Sequence, residues 1–147
     1  MLPRCLASAA LPLGLVACTA TSGGPAPVVS PQGEPLGQAQ VAYVTHGGAT
    51  AQMTVTLPDG ESFTGPALSL RETTEPGPGL LLGQGDPALL VASPGATWTG
   101  EIEAELASPR GAVMTCRLRE ARPGLGLEGG ASGRCTLPDG RALAVRL

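Results

Sequence analysis

The chain has no lysine and no asparagine among its 147 residues, and only one isoleucine and one histidine. Every basic side chain is therefore an arginine. Nine of these stand against twelve carboxylates, for a net charge of −3. That balance excludes the basic footprint a nucleic-acid binder needs. Aromatics are nearly missing: Tyr43, Phe63 and Trp98 are the only three. A core built here must rest on Leu, Val, Ala and Met. The length suits one domain.

Catalytic signatures are equally scarce. There is no Gly-x-Ser-x-Gly elbow for a nucleophile and no Cys-x-x-Cys for redox chemistry or zinc. The single histidine, His46, sits in Thr45-His46-Gly47-Gly48 and reads as a surface turn residue. Asp59 and Asp139 read as turn residues. Gly124-x-Gly126 lacks the strand-turn-helix setting of a nucleotide site. Glu101, Glu103 and Glu105 alternate along one run and read as a solvated stripe, with a binding stripe as the alternative. An enzyme is not expected, nor is a cofactor, a metal or a small-molecule substrate.

What is present begins with a leader. One positive charge, Arg4, precedes an apolar stretch over residues 6–17. A basic start followed by a short apolar run is a secretory signal, too short to span a bilayer permanently. A buried N-terminal helix that happens to end in cysteine is the competing reading. The stretch ends Leu15-Val16-Ala17-Cys18, which resembles the lipobox of bacterial lipoproteins. The scarcity of Lys, Asn and Ile beside abundant Ala, Gly, Pro and Arg fits a GC-rich bacterial source. The resemblance implies cleavage before Cys18, a lipid thioether on that cysteine and usually a further acyl chain on the new amine. It implies residence in the cell envelope. Thr19, where an aspartate would favour the inner membrane, points to the outer membrane on its periplasmic side.

Residues 18–38 follow as the lipidated cysteine and a spacer rich in Pro and Gly. Such sequence buries too little surface to offset its ordering entropy, so a flexible tether is expected. Twenty residues could reach roughly 60 Å if extended. A Pro-rich ligand segment at residues 27–29 is a weaker reading.

From residue 39 to 147 the period becomes two. Met53, Val55 and Leu57 alternate with polar residues. So do Ile102, Ala104 and Leu106, then Met114, Cys116 and Leu118, and finally Leu143, Val145 and Leu147. Period two over short runs predicts half-buried strands. Leu57-Pro58-Asp59-Gly60, Ser108-Pro109-Arg110-Gly111 and Leu137-Pro138-Asp139-Gly140 predict hairpin turns, with Pro presetting φ and Gly at the bulge position. The two Leu-Pro-Asp-Gly turns mark either an internal duplication or repeated use of a good turn. The expected fold is all-β: a small antiparallel meander, as a twisted sheet or a partly closed barrel, with one disulfide. Residues 72–97 and 123–133 lose the pattern; apolar runs at 80–82 and 88–91 are short strands or ordered loop.

One register follows from the Ser108 turn. It sets Glu105 against Thr115, Glu103 against Arg117 and Glu101 against Arg119. The other face then pairs Leu106 with Met114, Ala104 with Cys116 and Ile102 with Leu118. A slip by one residue would break both patterns. Four cysteines are written, but Cys5 leaves with the leader and Cys18 takes the lipid. Cys116 and Cys135, two thiols in an exported chain on predicted strands, most simply form a disulfide. A metal or redox role remains the alternative.

The C-terminal segment, Met114-Thr-Cys116 through Gly133-Arg-Cys135-Thr-Leu-Pro-Asp-Gly140-Arg, resembles small uncharacterised lipoproteins of alphaproteobacteria. That resemblance brings no activity. Expected function is a non-enzymatic binding or structural module, with an envelope protein as partner. The alternative is an enzyme inhibitor resembling the lysozyme-inhibitor lipoproteins, whose inhibitory loop finds an echo in Gly130-Ala131-Ser132-Gly133.

Overall fold

A computed structural model describes residues 22–47, 49–74 and 95–147. Eight strands run in chain order: β1 Ser22–Val29, β2 Pro35–Thr45, β3 Thr50–Thr56, β4 Ser62–Thr74, β5 Gly95–Ala107, β6 Val113–Glu120, β7 Ala131–Thr136 and β8 Ala142–Arg146. Each pairs antiparallel with the next, and β8 returns to β1, so the sheet closes into an up-and-down barrel. Closure removes the free sheet edges that an open meander would present to other chains.

The interior is solid. Phe63, Met53, Ile102, Leu106, Met114 and Leu143 are the largest side chains that are fully buried, and Val, Ala and Cys fill between them. One side of each strand supplies this core and the other meets water, as the burial of β6 shows at alternate positions from Met114 to Glu120. An eight-stranded barrel is narrow enough for its own side chains to fill it. The apolar interior and largely polar exterior invert what a bilayer-spanning barrel needs. No helix among the described residues is long and apolar enough to cross a membrane.

The register expected around Ser108 is the one observed. Glu101 pairs with Arg119, Glu103 with Arg117 and Ala104 with Cys116, out to Ala107 with Val113. Cys116 in turn stands directly opposite Cys135 on β7. The two are joined by a disulfide, both fully buried.

The expected tether needs correction. Residues 22–29 and 35–38, placed in the spacer, are strand. Ala26 and Val28 are 1 % exposed and belong to the core. The N-terminal border of the barrel is therefore Ser22 rather than residue 39. Pro and Gly content pointed to a spacer because it hid a short alternation, Ala26 and Val28 inward with Pro25 and Pro27 outward. The prolines are tolerated for a geometric reason. The Ser30 amide donates to Glu34 O across the β1–β2 turn. Backbone groups of alternate residues point to opposite sides of a strand. Positions 29, 27 and 25 therefore face β8, where Pro27 and Pro25 have no N–H to offer. Accordingly β1 pairs with β2 along its whole length, but with β8 only at Val28 and Val29.

Four turns, not three, close one end of the barrel. The unexpected one, Ser30-Pro31-Gln32-Gly33, has the layout of Ser108-Pro109-Arg110-Gly111. In each of the four the Gly amide donates to the carbonyl three residues back, at 2.9–3.0 Å. Serine Oγ accepts from the turn amides in two of them, and Asp Oδ1 accepts in the two Leu-Pro-Asp-Gly turns. The two kinds alternate around the barrel, so the halves β1–β4 and β5–β8 repeat one order of turns.

The irregular segment expected at 72–97 is shorter than that. Residues 72–74 end β4 and 95–97 begin β5. The apolar runs at 80–82 and 88–91 lie outside the described residues. The stretch 123–133 is a loop with a single 3-10 turn, Gly126–Gly129, running into β7.

Candidate functional site

Function must reside on the outside, since the interior is filled. The recess between Thr45, Ala49, Ala51, Ile102 and Leu127 at the far end has essentially no free volume. That end carries the start of β1, the C-terminus and the β2–β3 and β6–β7 connections. Leu127 plugs it, buried, with its carbonyl accepting from Tyr43 Oη at 3.2 Å. Glu120 turns inward just beside it. Its Oε2 accepts from the Gly124 amide at 2.6 Å, and its Oε1 has no partner among the described residues. Trp98 lies near Gly124, with the Arg71 guanidinium 3.8 Å over its ring.

The opposite, turn-bearing end is tied by Arg141. Its Nε donates to Asp139 Oδ2 at 2.7 Å and its Nη1 reaches Asp59 Oδ2 at 3.5 Å, joining the two Leu-Pro-Asp-Gly turns. The Arg141 amide donates to Asp139, and its guanidinium adds a second bond. Together these hold the Asp139 carboxyl below its ordinary pKa, against the desolvation that acts the other way. A carboxyl depressed in the folded state stabilises the fold above the unfolded pKa, and that contribution is lost as pH falls through the folded value. Both aspartates are thus turn and staple residues, as their sequence setting suggested.

Cys18 lies outside the described residues. His46 is exposed in the β2–β3 connection. Among the described residues no three His, Cys, Asp or Glu side chains gather as a metal site. Gly124 and Gly126 sit in the β6–β7 loop that supports the Leu127 plug. Glu101, Glu103 and Glu105 all point outward from β5. The first two face arginines, Glu103 to Arg117 at 3.7 Å and Glu101 to Arg119 at 4.0 Å. These exposed contacts add little. We expect a double-mutant cycle over Glu103→Gln and Arg117→Gln to give a coupling of about 0.2–1 kcal/mol in urea unfolding. No measurable coupling would show that the pair does not help fix the register. Neutral substitutions are used because Arg134 on β7 stands directly opposite Arg117 and would pair with a carboxylate placed there.

That juxtaposition belongs to a pattern that pairwise reading missed. Strands β1, β2 and β3 contain no charged residue. The outward face of β5 is acidic. Beyond it, β6, β7 and β8 present Arg117, Arg119, Arg134 and Arg146, all exposed. Arg117 is opposite Arg134, while Ser132 stands between Arg119 and Arg146. The signal was in the sequence as alternate positions on three strands, and the β6–β7 and β7–β8 registers place them side by side. A shallow groove of about 450 Å³ runs from Glu101 and Glu103 past Arg117 and Arg119 to Ser132 and Gly133. Another, of about 490 Å³, continues from Ser132 to Arg146, Pro25 and Pro27. Gly133 is needed at the join, where a Cβ would run into the Arg117 carbonyl of β6.

Compared with known proteins, the chain stands apart: no protein-family model, no curated protein and no solved structure matches it.

Proposed function

We propose that this protein is a lipoprotein of the bacterial cell envelope, cut before Cys18, anchored through acyl chains on that thiol and non-enzymatic in its action. The barrel is a binding or structural module held at the membrane, with an envelope protein as its partner. The observation that supports this most is the junction between leader and fold. Three residues separate a lipobox-like Leu15-Val16-Ala17-Cys18 from the start of β1 at Ser22. Two or three acyl chains anchor stably where one binds only marginally. The short junction changes the expected geometry. From Cys18 to Ser22 the chain can extend about 14 Å at most, so the barrel rests near the headgroups rather than far above them. Thr19 favours the outer membrane, on its periplasmic face.

Cys18→Ala should leave an uncleaved or mislocalised precursor. The decisive measurement is the intact mass of wild-type protein extracted from membranes: lipid mass on Cys18 is expected, and its absence would sink the anchor. A pull-down from solubilised envelope with Cys18 intact then separates module from inhibitor, since a discrete hydrolase as partner would favour inhibition. The inhibitor reading draws little from the structure. Ala131, Ser132 and Gly133 lie within β7, paired on both sides, and Ala131 is buried, so the echo of an inhibitory loop is not displayed as a loop.

A further inference from the structure

We infer that the arginine flank of β6–β8 is the face by which the barrel lies against anionic lipid headgroups of the membrane that holds it. The orientation rests on the anchor reading above; the affinity of the face for anionic lipid does not. Four of the chain's nine arginines, Arg117, Arg119, Arg134 and Arg146, share this flank. Two of them, Arg117 and Arg134, are directly opposed across neighbouring strands. Like charges in that relation destabilise a sheet, and the chain is acidic overall, so fold stability does not account for the arrangement. Beyond the edge where Glu101 and Glu103 face Arg119 and Arg117, the flank carries positive charge alone, and such a field suits an extended surface of the other sign. Of the four, only Arg117 and Arg119 meet a carboxylate among the described residues, at 3.7 and 4.0 Å. Arg134 and Arg146 meet none within 4.0 Å among the described residues.

Position selects a membrane over a free acidic partner. β1 is the neighbour of β8, and Pro25 lines the same groove as Arg146. Pro25 is seven residues after Cys18, within about 25 Å of chain. The anchor therefore enters beside the arginine flank, on β1 between β8 and β2, at the end of the barrel where Arg119 and Arg146 stand. Headgroups reached by the lipid are the nearest anionic surface to these side chains, and each Arg near such a surface contributes about 1 kcal/mol. The barrel then lies on this flank, with the uncharged β2–β3 face turned away.

All eight strands lie within residues 22–147, so a chain starting at Thr19 retains the entire barrel and lacks the lipid. Its co-sedimentation with phosphatidylglycerol vesicles, and with phosphatidylcholine vesicles as reference, tests the face. Binding to phosphatidylglycerol alone, weakening as salt is raised, is expected. Arg134→Gln should reduce it about five-fold and Arg134→Gln with Arg146→Gln about thirty-fold. Arg110→Gln, at the turn end, should leave it unchanged. Removing Arg134 relieves a like-charge pair, so a thermal midpoint at or above wild type is expected for that variant, and its lost binding cannot be read as unfolding. Equal sedimentation with both lipids, no sedimentation with either, or equal losses from Arg110→Gln and Arg134→Gln would overturn the face. Loss of the face with acyl mass present on Cys18 leaves the anchor standing. Retained lipid-selective binding with no acyl mass would leave the face and remove the anchor.

Discussion

Phe63→Ala should cost the barrel about 3–5 kcal/mol, the range for truncating a buried aromatic. Phe63 is the only phenylalanine and is fully buried on β4, opposite Val55 of β3. Its neighbours cannot close the gap easily. They are strand residues held in a continuous ring of pairings, and a closed barrel cannot contract one sector without shearing the others. Aliphatic, Met and Cys side chains supply the rest of the fully buried interior, and the Tyr43 ring that packs against it is held at the far end by its hydroxyl on the Leu127 carbonyl, so no second ring is free to shift into the void. The loss amounts to a large share of the 5–15 kcal/mol that such a domain usually has. Urea unfolding with an unchanged slope and a much lower midpoint is expected. A change below about 1 kcal/mol would mean that the ring is not the centre of the core.

Removing the disulfide should have an effect of similar size. In the double variant Cys116→Ala, Cys135→Ala, stability should fall by about 3 kcal/mol. The two cysteines are 19 residues apart in sequence, and loop-closure entropy for a loop of this length gives that figure. The loop holds the whole β6–β7 connection with its Leu127 plug, the longest irregular segment among the described residues. Without the bond, the unfolded chain regains the freedom of that loop while the native pairing gains nothing. Reductant should lower the wild-type midpoint to near that of the double variant and leave the double variant unmoved. If the two proteins unfold at the same denaturant concentration under oxidising conditions, the bond is not stabilising.

The two predictions depend differently on sequence and fold. Cys116 and Cys135 were paired by elimination and by their alternation with Met114, Leu118 and Leu137. The register that brings Cys116 opposite Ala104 came from counting out from a single turn. Local chemistry decides such features: a Pro-x-Gly turn fixes which residues face each other, and period two fixes which side they take. Phe63, by contrast, was visible as a rare aromatic but could not be assigned to the centre of anything.

The N-terminal segment shows where local reading stops. Pro25 and Pro27 made residues 22–29 look like spacer, although Ser30-Pro31-Gln32-Gly33 repeats a turn already recognised at Ser108. Proline is acceptable there because those positions face β8 across the seam, and no sequence window contains both partners. Closure of the barrel is a pairing between the first strand and the last, and its physical cause is the accumulated twist and tilt of all eight strands. The β6–β7 and β7–β8 registers set Arg117 beside Arg134, with Ser132 between Arg119 and Arg146, and the first of these spans a ten-residue connection that no tight turn fixes. By itself, then, the sequence determined the alternating runs of β3, β5, β6 and β8, three of the turns, the β5–β6 register and the cysteine pair, because each depends on neighbours or on strict alternation. Only the tertiary structure decided that β1 belongs to the barrel and that the interior is full, because both depend on which strands meet when the sheet closes, and that the arginines gather on one flank, because that depends on a β6–β7 register set across a long connection.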